Sequence, residues 1–218
     1  MERLLTQLCP ESFASHFDDL DEGIDSPTGL THLLHEWARA LDIRDGEAEG
    51  HSARVAAMAV RLAEYMGESG EKLVHIMRGA LLHDIGKISV PDSIMHKAGS
   101  LTEEEWTIMR EHPYIAFRML SPVSFLVPAI DIPHCHHERW DGGGYPRGLR
   151  GTEIPRSARI FTVIHVYDAL TSDRPYRPGW SHDQAMEYID TQSGSQFDPD
   201  VVEAFADLVD TGELPLPR

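Results

Sequence analysis

Apolar residues in this chain recur at helical spacing, and strand-like alternation is nearly absent. Leu30, Leu33, Leu34, Trp37, Ala38 and Leu41 follow the i, i+3, i+4 pattern of one helix face. A second stretch, Val55 to Met66, ends at Gly67, a residue suited to a helix C-terminus. A third runs from about Glu71 through Leu82 and delivers His83-Asp84 near its end. Leu101-Thr102-Glu103-Glu104-Glu105 sets an N-cap threonine before an acidic first turn, which opens a helix toward Leu120. Pro122, Pro128 and Pro133 follow, so any helix leading to His136 should break or restart near Pro133. Arg156 to Leu170, Ser181 to Thr191 and Pro199 to Val209 complete the helical set, and the expected class is all-α.

With 218 residues and 41% hydrophobic content, one large domain can bury a real core. Residues 1–28 are acidic and end in the turn-like Asp25-Ser26-Pro27-Thr28-Gly29, so an N-terminal arm is expected there and a single domain over 29–218. The net charge of −17 argues against binding long nucleic acid through its phosphates. That acidity sits at the ends, −9 over residues 1–50 and −8 over 181–218, while 51–130 carries −1 and 131–180 carries +1. Bound dications would make the neutral middle attractive to a small anion. The N-terminus lacks a basic segment followed by an apolar run, and no apolar run reaches membrane-spanning length, so neither a secretory signal nor a membrane association is expected. Two cysteines, Cys9 and Cys135, form no Cys-x-x-Cys pair and point to a reducing, cytoplasmic setting.

The chemistry concentrates between His134 and Pro155. His136 and His137 run through Glu138-Arg139-Trp140-Asp141 into Gly142-Gly143-Gly144-Tyr145-Pro146, which puts metal-type ligands beside a loop whose backbone can approach a ligand closely. If helical, the two histidines point about 100° apart and can face different ions. His83-Asp84 lies in the apolar run Leu81-Leu82-His83-Asp84-Ile85-Gly86-Lys87, where an unpaired carboxylate is costly and a metal relieves the cost. A buried Asp bonded to a helix end is the plainer alternative. Glu47 and His51 lie four apart, which on a helix puts both on one face, although a surface pair is the commoner meaning of that spacing. His112, taken alone, reads as a surface histidine, and Cys135 as a packed thiol whose sensitivity to oxidation is open.

The pairing of His83-Asp84 with the glycine-tyrosine-proline loop resembles the HD-GYP family, metal-dependent phosphodiesterases of cyclic di-GMP, from about Arg44 to about Phe205. The resemblance implies a compact helical HD-superfamily bundle and a bi- or trinuclear centre that hydrolyses cyclic di-GMP to linear dinucleotide, GMP or both. It implies a ligand set of Glu47, His51, His83, Asp84, His112, His136 and His137, with His165 where the family usually has a metal-binding aspartate. Asp168 matches a second aspartate, expected to support rather than ligate. Lys87 falls on the lysine beside metals and scissile phosphate; Gly144, Tyr145 and Pro146 complete the signature loop; Arg174 and Arg177 match positions that contact substrate phosphate. By themselves those two arginines read as a solvated turn. The implied cofactors are two or three divalent metals per chain, iron or manganese first, with zinc, nickel or magnesium as alternatives. The loop could also serve a protein partner. Two other functions stay open: a cyclic-dinucleotide-binding or interaction module with weak catalysis, which His165 favours, and an HD-type phosphohydrolase of another nucleotide, which leaves the loop unexplained.

Overall fold

The computed structural model describes residues 27–48, 50–173, 178–212 and 214. Its helices are α1 (Pro27–Asp45), α2 (His51–Tyr65), α3 (Glu71–Leu81), α4 (Asp92–Met95), α5 (Glu103–Met109), α6 (His112–Leu120), α7 (Asp131–Cys135), α8 (Arg156–Thr171), α9 (His182–Thr191) and α10 (Pro199–Asp210). Short 3₁₀ turns follow α3 at Ile85–Ser89 and precede α7 at Ser124–Ala129. Among the described residues there is no strand beyond an isolated bridge between Ser193 and Phe197, so the chain is all-α, as its periodicity implies. No described helix is long and apolar enough to cross a membrane.

Helix α8 is the central rod. Ala158, Ile160, Phe161, Val163, Ile164 and Tyr167 are buried around most of its circumference, which is the composition of a helix enclosed by others. It packs against α2, α7, α9 and α10. Val55, Met58, Ala59 and Leu62 of α2, Ala80 and Leu81 of α3, and Val201, Phe205 and Leu208 of α10 join it in one core. A fully buried Leu or Phe side chain contributes roughly 1.5–3 kcal/mol, so this core holds α8 and its polar residues in place.

Several boundaries differ from expectation for physical reasons. The turn expected through Gly29 is helical, because proline suits a first helical turn and α1 already begins at Pro27. Its buried stripe runs Thr31, Leu34, Ala38, Asp42, which leaves Trp37 at the surface, 48% exposed, instead of in the expected apolar face. Helix α2 starts at His51, before its apolar periodicity begins, because Asp42 of α1 caps it: the Ser52 N–H donates to Asp42 Oδ2 (3.1 Å) and the Ser52 hydroxyl to Oδ1 (2.5 Å). Thr102 caps α5 with a capping box to Glu105, as expected, but the helix does not reach Leu120. It stops at Met109 and α6 restarts at His112, since Pro113 has no N–H to return to the Met109 carbonyl. The proline-rich stretch behaves as its composition demands: a 3₁₀ turn holds Pro128, and a short α7 carries Pro133 within its first turn. The arm expected over 1–28 falls almost wholly outside the described residues.

Candidate metal centre

Four histidines of the centre are aimed by what their Nδ1 meets. His83 follows the end of α3, where the last carbonyls lack helical partners, and its Nδ1 lies 2.8 Å from the Ala80 oxygen. His112 Nδ1 takes the Met109 carbonyl that Pro113 leaves free, at 2.8 Å. His136 Nδ1 is 3.1 Å from the Ile132 carbonyl, and His51 Nδ1 is 2.8 Å from Asp168 Oδ2. A carbonyl or carboxylate oxygen only accepts, so in all four rings Nδ1 carries a proton, and wherever the ring is neutral Nε2 presents a lone pair. His83 is pulled down by burial but raised overall by Asp84, whose Oδ2 faces its Nε2.

Those four Nε2 atoms and Asp84 Oδ1 are buried without a hydrogen-bond partner. Each such atom costs about 1–3 kcal/mol when left unmet, and five oriented toward one region is not how a core is built. They fall into two clusters, Asp84 with His112, His136 and His137, and His51 with His83 and His165; within each, the ligand atoms lie within 4.8 Å of one another. That limit is somewhat more than twice a metal–nitrogen bond of ~2.0–2.1 Å, so small side-chain rotations suffice to bring the ligand atoms onto one ion. The donor set therefore fits divalent metal. His136 and His137, whose rings are 4.0 Å apart, both belong to the first cluster. His136 closes α7 and His137 lies in the turn beyond it, so the pair is not the two-residue helical step that the 100° separation assumed.

Burial, aided by the neighbouring imidazoles, holds His137 and His165 well below the ordinary histidine range. Burial also lowers His136, and brings His112 down to about 4. These rings are neutral, the form that binds metal. Asp84 joins the clusters: Oδ1 is 3.4 Å from His112 Nε2 and 3.7 Å from His136 Nε2, while Oδ2 is 3.1 Å from His83 Nε2 and 2.7 Å from Lys87 Nζ. Burial would raise this carboxyl, but His83 and Lys87 together keep it well below the usual range. Lys87 in turn is pushed down by burial and raised further by Asp84, Asp45 and Glu47.

Glu47 falls outside both clusters. The chain turns at Gly46 and Gly50, both with positive φ, so Glu47 sits in a loop and the expected shared helix face with His51 does not form. Arg174 and Arg177 lie outside the described residues. Four residues near the site carried no signal, or one passed over. Asp45, buried beside Lys87 at 4.0 Å, has no motif around it. Arg54 grips Asp168 through Nε (2.6 Å) and Nη2 (3.0 Å). Glu138, directly after His137, accepts the Arg147 and Leu149 N–H groups (2.8 and 3.0 Å) and so ties down the loop. Arg110 lies over Trp106 and Tyr145, 5.5 and 5.8 Å from the ring centres.

The glycine loop meets the centre through Tyr145, whose ring stacks on His137 at 4.7 Å and 20°, while its N–H donates to the His137 carbonyl (3.1 Å). Gly144 is required for that approach: a Cβ there would collide with the backbone of His137, Glu138 and Arg139. The Tyr145–Pro146 peptide is cis. Cys135 is packed, and burial pushes its thiol up to about 12, which leaves little thiolate to oxidise.

Fold and site together define a helical bundle with a buried imidazole–carboxylate centre beside a glycine-tyrosine-proline loop. A family model described as "HD domain" matches residues 37–201, and the chain belongs to the HD domain family. It is 44% identical over 173 residues to the cyclic di-GMP phosphodiesterase response regulator RpfG of Xanthomonas campestris pv. campestris, covering 78% of this chain and 46% of that one. It is 41% identical over 207 residues to a cyclic di-GMP phosphodiesterase of Thermotoga maritima, covering 94% and 54%. The chain thus spans about half the length of these relatives. Among solved structures, a cyclic GMP-AMP-specific phosphodiesterase of V. cholerae (V-cGAP3) superposes with a TM-score of 0.65 at 20% identity, over 85% of this chain and 50% of that one. The HD domain of L. monocytogenes PgpH gives 0.56 at 16% identity, over 84% and 98%. Both superpositions support the fold, and the HD-GYP resemblance stands.

Proposed function

We propose that this chain is a metal-dependent phosphodiesterase that hydrolyses cyclic di-GMP to the linear dinucleotide, GMP or both. The observation that carries the proposal is the convergence of four buried, partnerless Nε2 atoms and Asp84 Oδ1. The names of its curated relatives support the substrate. His51, His83, Asp84, His112, His136, His137 and His165 would hold two or three divalent ions, iron or manganese, with Glu47 entering from its loop. Such ions supply Lewis-acid activation of water and neutralise phosphate charge at neutral pH.

The protein's own groups do the rest. Asp84, with one oxygen toward each cluster, keeps the two halves in register. Lys87, anchored on Asp84 Oδ2, places a cation where charge grows on the phosphoryl oxygens, and Arg174 and Arg177 would grip the phosphate bidentately. Tyr145, stacked on His137, offers a ring face to a guanine. The chain is purified with iron or manganese and incubated with cyclic di-GMP; linear dinucleotide or GMP is expected, and no product with any metal from a folded protein overturns the proposal.

One observation favours a second reading, a nucleotide-binding module with weak catalysis: the His51–His83–His165 cluster contains imidazoles alone. Calorimetry that finds tight cyclic di-GMP binding without turnover would select it.

A further inference from the structure

The two clusters differ in charge as well as in position. Asp84 gives the first an anionic oxygen among His112, His136 and His137. The second offers His51, His83 and His165, three imidazoles whose ring centres lie 4.9–5.8 Å apart. The carboxylate behind His51 lends it no net charge, since both oxygens of Asp168 are gripped by Arg54. Asp84 Oδ2, which faces His83, already has Lys87 Nζ at 2.7 Å. Glu47, the other carboxylate of the proposed ligand set, lies outside both clusters. His165 is braced by Phe161, stacked at 5.4 Å and 16°, so its ring is held against the neighbouring histidines.

Magnesium and manganese depend on anionic oxygen ligands, whereas zinc and iron(II) bind neutral imidazole well. We propose that the centre consists of two half-sites of unequal preference, in which His51, His83 and His165 form an all-imidazole half-site selective for zinc or iron(II) over manganese and magnesium. This assignment rests on the phosphodiesterase reading of the centre and names the residue, His165, that sets its metal selection.

The test counts metal, independently of turnover. The full chain is stripped with chelator, equilibrated anaerobically with equal zinc and manganese, and separately with equal iron(II) and manganese, then desalted and analysed for ions per chain. Beside the wild type stand His165→Asp, which adds charge, and His165→Asn, which removes the imidazole without adding charge; circular dichroism checks that each is folded. His165→Asp is expected to shift the retained zinc:manganese and iron:manganese ratios toward manganese by tenfold or more, and His165→Asn to lose about one equivalent of zinc or iron per chain. Ratios within twofold of wild type in His165→Asp, or full retention in His165→Asn, overturn the assignment. If His165→Asp does not fold, the count for His165→Asn decides alone. Cyclic di-GMP hydrolysis by the same preparations is scored separately, so that a shifted ratio without turnover removes the phosphodiesterase reading and leaves the half-site, while turnover with unshifted ratios does the reverse.

Discussion

Asp168 Oδ2 stands 2.8 Å from His51 Nδ1, a contact that joins two helices across 117 residues of chain and decides which nitrogen of His51 faces the centre. Burial would raise the Asp168 carboxyl, but the hydrogen bonds from His51 and Arg54 outweigh it and hold the carboxyl below its usual value. Removing Asp168 leaves Arg54 half-buried without its partner and lets the His51 ring turn. Asp168→Ala is expected to cost about 3–5 kcal/mol in urea unfolding. Asp168→Asn keeps the shape, and should bind metal about 10–100-fold more weakly. Metal affinity unchanged in Asp168→Asn would show that His51 does not need its partner.

Gly86 and Gly144 bring backbone to backbone around the ligands. A Cβ on Gly86 would strike the His112 carbonyl oxygen, and one on Gly144 the backbone at His137–Arg139. Neither obstacle is a side chain that can swing away, so each alanine variant should lose about 1–3 kcal/mol. The losses should differ in kind: Gly86→Ala displaces His112 and lowers metal content, whereas Gly144→Ala unseats Tyr145 from His137 and raises KM at full metal content. Thermal unfolding, metal analysis and steady-state kinetics separate the two.

His35 on α1 lies away from the ligands, and burial, with help from His32, takes it down to about 4. Between roughly pH 6.5 and 4 the unfolded chain binds a proton there that the folded chain refuses, so stability falls as pH falls through that window. The loss is at most about 3 kcal/mol. His35→Gln should flatten the fall in urea midpoint of the metal-free protein between pH 7 and pH 5, and an unchanged slope would put the acid sensitivity elsewhere.

The helices and most of the residues gathered in the candidate centre were legible because both leave local marks. Periodicity marks α2, α3 and α8, and His83-Asp84 and His136-His137 sit beside conspicuous glycines. The break before His112 was also available, since Pro113 cannot continue a helix begun at Glu103, but the strong cap at Thr102 suggested one long element. What could not be read depends on distance in sequence. Asp42 capping α2 and Asp45 beside Lys87 are consequences of how α1 packs, and no local pattern marks either. Glu47 and His51 mislead for the opposite reason: spacing of four has helical meaning only where the chain is helical, and Gly46 ends α1 one residue earlier.

Lys87 offers the sharpest separation of binding from chemistry. Its ammonium sits 2.7 Å from Asp84 Oδ2 and 4.0 Å from Asp45 Oδ2, so it belongs to the centre without being able to ligate a metal while protonated. If it serves to offset charge that appears only as the phosphodiester opens, Lys87→Ala should lower kcat by about 100-fold or more with a smaller effect on KM. Metal content should hold or rise, because Asp84 Oδ2 is released from its ion pair. Lys87→Arg retains the charge on a longer, planar head and should recover part of kcat. A purely structural lysine would behave differently, with metal content and kcat falling together and arginine restoring both or neither. Parallel measurement of ions per chain and of kcat in the two variants therefore decides whether Lys87 acts on the substrate or only on Asp84.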